Sequence, residues 1–181
     1  MTDPGLAESG RLPGIGWAPI VGTNYSDEWY TPRAIVEPLG LFDLDPAGIL
    51  ERPLATRTLT VADDGLSIPW EGRVWLNPPY SEVGKWMARL ATHGHGTALV
   101  FARTETEWFH SSVWNRATAA LFLKGRVSFE RPDGSVGDAS PSPSVLVAYG
   151  WPDAWALENS GHDGGFVIMR EYFTSSKRPC Q

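Results

Sequence analysis

Short continuous apolar runs alternate along the chain with apolar positions at helical spacing, and their order predicts the fold. Residues 97–102, Thr-Ala-Leu-Val-Phe-Ala, are almost entirely apolar, as expected of a strand buried on both faces in a parallel sheet. Val74, Trp75 and Leu76 form a shorter run that ends at Asn77-Pro78-Pro79. Proline removes the backbone donor and pushes its predecessor toward extended geometry, so pairing must stop there. Just beyond, Val83, Trp86, Met87 and Leu90 recur at i, i+3, i+4 and i+7, which predicts a helix over 81–92 with Ser81 as its N-cap.

The same reading predicts further strands over 41–44, 59–61, 119–123, 145–149 and 166–169, with 126–129 continuing the 119–123 strand past Gly125. Thr31 and Pro32 make a helix start, with Thr31 as N-cap, and Pro38 and Gly40 limit that helix to about two turns. Thr104 and Glu107 have capping-box spacing ahead of Trp108, Phe109 and Val113, which predicts another helix, running to Arg116. Turns fall at 45–48 and 63–65, and residues 131–143 read as a polar loop. Strands alternating with helices predict an α/β fold with a doubly wound, mostly parallel sheet. Five glycines and three prolines in residues 1–23 mark a flexible arm, within which Trp17 offers an anchor. The folded domain is expected over 24–173, and 174–181 is expected to be a tail.

Composition narrows this picture. At 181 residues the chain suits one domain with a sizeable core. Cys180 is the only cysteine, so neither a disulfide framework nor a cysteine metal site can be built. Neither a membrane-spanning apolar run nor a secretory signal is visible, so a cytoplasmic protein is expected. The four histidines show no ligand spacing, and no metal is expected. A net charge of −6 argues against tight non-specific nucleic-acid binding. Arg103, Arg116, Lys124, Arg126 and Arg131 nevertheless fall in one stretch, either as a local basic strip or as solvated surface charges.

The candidate chemistry lies in Asn77-Pro78-Pro79-Tyr80, at the carboxyl end of a strand, where α/β sheets place their ligands. On its own this is a proline turn with Tyr80 as rim packing. It also resembles the Asp/Asn/Ser-Pro-Pro-Tyr/Phe/Trp motif of S-adenosylmethionine-dependent amino-methyltransferases. The chemistry of that reaction accounts for the residue types. The lone pair of an exocyclic adenine amine is delocalised into the ring, which makes the amine a poor nucleophile. A side-chain acceptor on Asn77 and the carbonyl of Pro78 can each take one N6 hydrogen, turning the nitrogen tetrahedral and aiming its lone pair at the donor methyl. Tyr80 offers a flat face to an extruded base.

Two further elements extend the resemblance. Thr31-Pro32 resembles the Thr-Pro element near the methionine part of the cofactor, and a helix N-terminus there offers free N–H groups. Asp45-Pro46-Ala47-Gly48 stands where the first strand of such folds meets the cofactor, and Asp45 can accept hydrogen bonds from a ribose hydroxyl or an ammonium. Asp45 is equally suited to an Asx turn, and this stretch departs from the family's Phe-x-Gly-x-Gly form.

Taken with Ala-Arg-Thr-x-Thr-x-Trp-Phe-His at 102–110 and Gly-Arg-Val-Ser-Phe at 125–129, these motifs resemble, from Asp27 to Tyr149, the phage-type DNA N6-adenine methyltransferase (Dam-like) family. The resemblance implies a Rossmann-like methyltransferase domain over 24–173 and S-adenosylmethionine as donor. It also implies adenine in DNA, taken as double-stranded, as acceptor and no metal; the oligomeric state is not set by the sequence, a monomer being expected, in the cytoplasm of the host cell if phage-encoded. Asn77, Pro78, Pro79 and Tyr80 would be catalytic. Thr31, Pro32, Asp45 and Pro46 would bind the cofactor, while Tyr80, Arg103, Arg126 and Phe129 would meet the substrate, with Phe129 equally readable as core. Two rivals share the pattern: a glutamine N5-methyltransferase using the same tetrapeptide on an amide, and a non-catalytic DNA-binding phage module of the same fold.

Overall fold

The computed structural model describes residues 30–130 and 135–170. The N-terminal arm with Trp17, the Asp27-Glu-Trp start of the Thr-Pro element, the Asp133-Gly134 turn and the C-terminal tail lie outside the described residues. Strands β1 (Leu44–Asp45), β2 (Arg57–Thr58), β3 (Val74–Leu76), β4 (Gly96–Phe101) and β5 (Ala119–Leu123) run in one direction. The hairpin β6 (Ser128–Glu130) and β7 (Val136–Ala139) forms a small separate sheet, and β8 (Ser144–Tyr149) and β9 (Gly164–Ile168) complete the main one. Its order is β2-β1-β3-β4-β8-β5-β9. The expected mostly parallel pairing holds from β2 to β4, whereas β8 is antiparallel to β4 and β5, and β9 is antiparallel to β5. The sheet is therefore mixed.

Helices cover both faces because side chains alternate along each strand. Val74 and Leu76 of β3 and Ala98 and Val100 of β4 pack with Trp86, Met87 and Leu90 of α2 (Val83–His93). Phe109 and Val113 join them from α3 (Glu107–Phe109) and the π-helical turn His110–Trp114 that continues it. Trp75 and Leu99 face the other way, toward Val36 of α1 (Arg33–Val36), Leu39 in the 3₁₀ turn behind it, and Ala154 and Leu157 of α4 (Trp151–Glu158). Burying one such Leu, Met or Trp side chain contributes roughly 1.5–3 kcal/mol, so the stripe read from the sequence is what seats α2. Gly96 fixes how closely β3 and β4 approach: a Cβ there would lie 2.3 Å from the Val74 carbonyl oxygen. Only α2 makes an α-helical crossover between adjacent parallel strands among the described residues; the passages between β1 and β2 and between β2 and β3 contain none.

Several expectations need correction. Ser81 lies inside a 3₁₀ turn (Tyr80–Glu82), and α2 starts at Val83 with Glu82 at its N-cap. Pro32, not Thr31, stands at the N-cap of α1. Leu41 is exposed, so the first strand is confined to Leu44–Asp45. Residues 61–63 form a 3₁₀ turn capped reciprocally by Thr60 and Asp63, with Val61 in solvent, and the second strand lies earlier, at Arg57–Thr58. Thr106, not Thr104, begins α3. Residues 126–129 do not continue β5; β6 pairs with β7, which occupies part of the expected polar loop. No described helix is long and apolar enough to cross a membrane.

An ion-pair cluster ties the amino-terminal edge of the sheet together. Asp153, fully buried on α4, accepts from Arg73 Nε at 2.7 Å and from the Thr97 hydroxyl at 3.3 Å. Arg73 also donates to the carbonyls of Leu39 and Leu41 and lies over the Phe42 ring, 4.2 Å from its centroid.

Candidate active site at the carboxyl edge of the sheet

The chain leaves β1 toward β2 at the sheet edge and then returns to β3 on the other side of β1. Such a reversal opens a crevice at the carboxyl ends of the two inner strands, where ligands of open α/β sheets bind. Asp45-Pro46 and Asn77-Pro78 leave the sheet at that crevice, and Phe101 ends the neighbouring strand on the same edge.

Asn77 follows a fully buried β3 and is itself half-buried. Its Nδ2 donates to the Thr31 hydroxyl at 3.1 Å across 46 residues. Among the described residues Oδ1 has no partner, so the acceptor end of the amide is unspent. Thr31 is buried, and its hydroxyl makes no helix-capping bond. All described peptide bonds are trans, and Pro79 is extended (φ −60°, ψ 131°), which turns the chain sharply from β3 into the 3₁₀ turn. Tyr80 stacks on Phe101 with ring centroids 4.0 Å apart and an interplanar angle of 13°. At 39% exposure Tyr80 counts among the exposed large apolar residues. Burial raises the phenol above the usual tyrosine range, and a backbone contact with Phe101 and the charge of Arg103 partly oppose this. Arg103 thus lies within electrostatic reach of Tyr80.

Asp45 is 4% exposed and accepts from the Ala47 N–H at 3.2 Å, the geometry of an Asx turn. Burial pushes its carboxyl up to about 7, against the lowering effect of the Ala47 bond. Asp43 is committed elsewhere: its carboxylate accepts from the Arg73 backbone N–H at 2.7 Å. Thr58, paired with Asp45 across β1 and β2, has a buried hydroxyl without a partner among the described residues. A carboxylate and an unpartnered hydroxyl side by side suit a ligand carrying hydroxyl or ammonium donors, so these residues fit the polar part of S-adenosylmethionine. The neighbouring loop is held close, since a Cβ on Gly65 would lie 2.0 Å from the Pro46 carbonyl oxygen and the Trp70 indole donates to the Gly65 carbonyl at 2.8 Å.

The remaining expected residues sit differently. Exposed Arg126 donates weakly to the Ser140 carbonyl (3.4 Å), and neither it nor Arg103 has an acidic partner among the described residues. Phe129 is buried in the core cluster that includes Val36 and Leu39; it reaches the site only through backbone, because β6 pairs with Tyr30 beside Thr31. Sequence reasoning missed Thr58 and Ser144, whose buried, unpartnered hydroxyl lies opposite Phe101. The alternating serines of Ser140-Pro-Ser-Pro-Ser144, all buried, are the available signal. No group of three or more metal-ligating side chains occurs among the described residues.

Neither a curated protein nor a solved structure matches the chain. The family model of DNA N-6-adenine-methyltransferase (Dam) does match, over residues 21–150. That span carries Thr31, Asp45, Asn77 and Tyr80 together with the strands that bring them to one edge, and the chain belongs to the DNA N-6-adenine-methyltransferase (Dam) family.

Proposed function

We propose that this protein methylates the N6 amine of an adenine turned out of double-stranded DNA, with S-adenosylmethionine as donor. The observation that carries the reading is the Asn77 amide, held by its nitrogen end with Oδ1 unspent, next to a tyrosine already backed by Phe101. Asn77 Oδ1 and the Pro78 carbonyl each accept one N6 hydrogen, and the stiffness of Pro78-Pro79 keeps that pair in place before substrate arrives. Tyr80 stacks on the flipped base, and Phe101 supports it from behind. Asp45 and Thr58 take the cofactor's ammonium or ribose donors, with Thr31, Pro32 and Pro46 around them. When bound, S-adenosylmethionine supplies an electrophilic methyl group. Arg103 and Arg126 meet backbone phosphates, and Phe129 stays in the core cluster with Val36 and Leu39.

Purified protein incubated with methyl-labelled S-adenosylmethionine should label adenine-containing DNA, recovered as N6-methyladenine, and should not label RNA or cell protein. Label in glutamine would instead support the amide reading, and cofactor binding without any transfer would support a non-catalytic module.

Asp45 supplies a separate test through pH. A carboxyl raised to about 7 holds its proton in the folded state after the unfolded chain has released it. Its contribution to stability is therefore fully present below about pH 4 and is lost as pH rises through 7. Asp45→Asn keeps an oxygen for the Ala47 N–H and removes the ionisation. The variant should match the parent's unfolding midpoint near pH 4 and exceed it by several degrees at pH 8.5. In the parent, cofactor affinity should rise with pH through 7, and calorimetry should show Asp45→Ala weakening it by about 1.5–3 kcal/mol. A pH-independent difference in midpoint would show that Asp45 is not the titrating group.

A further inference from the structure

The edge of the sheet away from Asn77 carries a cavity for which the methyltransferase reading has no use. Its volume is about 320 Å³, in the range of small-molecule pockets. Gly94 just after α2, Thr118 just before β5 and Gly150 just after β8 line it, together with Arg116 and with Arg170, two residues beyond β9. We propose that this cavity binds the phosphate group of a small phosphorylated molecule, held by Arg116 and Arg170.

The charge balance of the cavity carries the proposal. Neither arginine has an acidic partner among the described residues. Arg116 donates through Nη2 to the Ala91 carbonyl at 3.0 Å and to the Thr92 hydroxyl at 3.3 Å. Arg170 donates through Nη2 to the Asn115 carbonyl at 2.8 Å, which brings it beside the residue that precedes Arg116. All three acceptors are neutral, so both charges stay uncompensated, and Nε and Nη1 of each arginine have no hydrogen-bond partner among the described residues. Burial raises the Tyr149 phenol and the Arg116 charge opposes this, so that charge reaches the cavity wall. Asp153 lies close, with Oδ2 3.8 Å from where a Gly150 Cβ would stand, but Arg73 already neutralises it. Two like charges side by side repel, and a dianion placed between them turns the repulsion into attraction. A planar guanidinium with free donors matches phosphate oxygens in particular. The site is separate from the catalytic turn: Gly96 pairs with Tyr149 at this edge and Phe101 with Ser144 at the other, about 17 Å away along β4. A nucleotide engaged at Asn77 therefore cannot place its own phosphate here.

Titration of the full chain with inorganic phosphate, without S-adenosylmethionine or DNA and followed in nitrogen-15 spectra, tests the site. Saturable shifts should appear at the backbone amides of Gly94, Thr118 and Gly150. Arg170→Gln should weaken phosphate binding by about tenfold or more, the scale of one hydrogen bond to a charged group. Arg170 is the better position to vary because its bond goes to an exposed residue, whereas Arg116 also ties down the end of α2. Arg170→Lys keeps the charge without the planar fork and should fall between the two. Ribose 5-phosphate should move the same amides at least as tightly as inorganic phosphate, and ribose should leave them in place. Shifts that never saturate, or that gather instead around Arg103 and Arg126, would overturn the site, as would equal affinity in Arg170→Gln.

The assignment does not rest on methyl transfer, and Asn77→Ala should bind inorganic phosphate as tightly as the parent. A short DNA duplex added to the protein saturated with ribose 5-phosphate should leave the shifts at Gly94, Thr118 and Gly150 unchanged. Displacement by the duplex would make the two arginines a contact for the DNA backbone and overturn the small-molecule assignment.

Discussion

Asn77→Ala should lower the rate of methyl transfer to adenine-containing DNA by about 10²-fold or more, as for the loss of one preorganised hydrogen-bonding partner. The truncation removes the acceptor and leaves one N6 hydrogen without its protein partner. Asn77→Asp supplies an oxygen at the same reach and should retain measurable transfer, at a rate set by how the new charge is tolerated beside the donor sulfonium. Cofactor affinity should survive both substitutions, since the groups proposed for it, Asp45 and Thr58, lie on β1 and β2. Single-turnover labelling with both variants is the check. Full activity in the Ala protein would take Asn77 out of the mechanism, and equal loss in both would make the amide N–H₂ the group that matters.

The largest effect on stability should come from the opposite edge of the sheet. Asp153→Ala should destabilise the fold by about 3–5 kcal/mol, the usual cost of removing one partner from a buried ion pair. The carboxylate is completely buried, whereas Arg73 is 15% exposed, and without Asp153 the guanidinium would keep only the Leu39 and Leu41 carbonyls and the Phe42 ring. Because the cluster joins the segment before β1 to the starts of β3 and β4 and to α4, the loss should appear as one cooperative transition at lower denaturant. Urea unfolding of parent, Asp153→Asn and Asp153→Ala measures it, with Asn expected in between. A loss below about 1 kcal/mol for Ala would place the pair in the range of solvent-exposed bridges.

How much of this is legible in the sequence depends on whether local or distant contacts decide each element. The α2 stripe is readable because Trp86, Met87 and Leu90 meet a single surface, and the continuous runs of β4, β5 and β8 are readable because they are buried on both faces. Helix α4 escapes the pattern: Asp153 is its most buried residue and Trp155 one of its most exposed, the reverse of an apolar stripe. Gly150 followed by Pro152 in the first turn is the signal to use. Thr31 reads as a cap because Thr-Pro is a good local helix start; the tertiary bond to Asn77 takes the hydroxyl instead. The antiparallel placement of β8 between β4 and β5 cannot be read from strand patterns, since a strand buried on both faces looks the same in either direction. The candidate site is more legible than the topology, because proline turns and acidic turn residues carry their chemistry locally.

That inserted strand has a consequence for synthesis of the protein. The whole carboxyl edge from Asp45 to Phe101 emerges from the ribosome before β8 exists, yet β4 pairs along its full length with β8. About 40 further residues must be translated before Ser144 reaches its partner Phe101, roughly 2–8 s at ordinary elongation rates. Until then the edge of β4 that β8 covers, with Ala98, Leu99 and Val100, has no partner strand, the kind of edge that recruits strands from other chains. The nascent chain therefore holds every proposed catalytic side chain while its sheet is still open down the middle, and this is the stage at which a chaperone, or a second nascent copy, would find it.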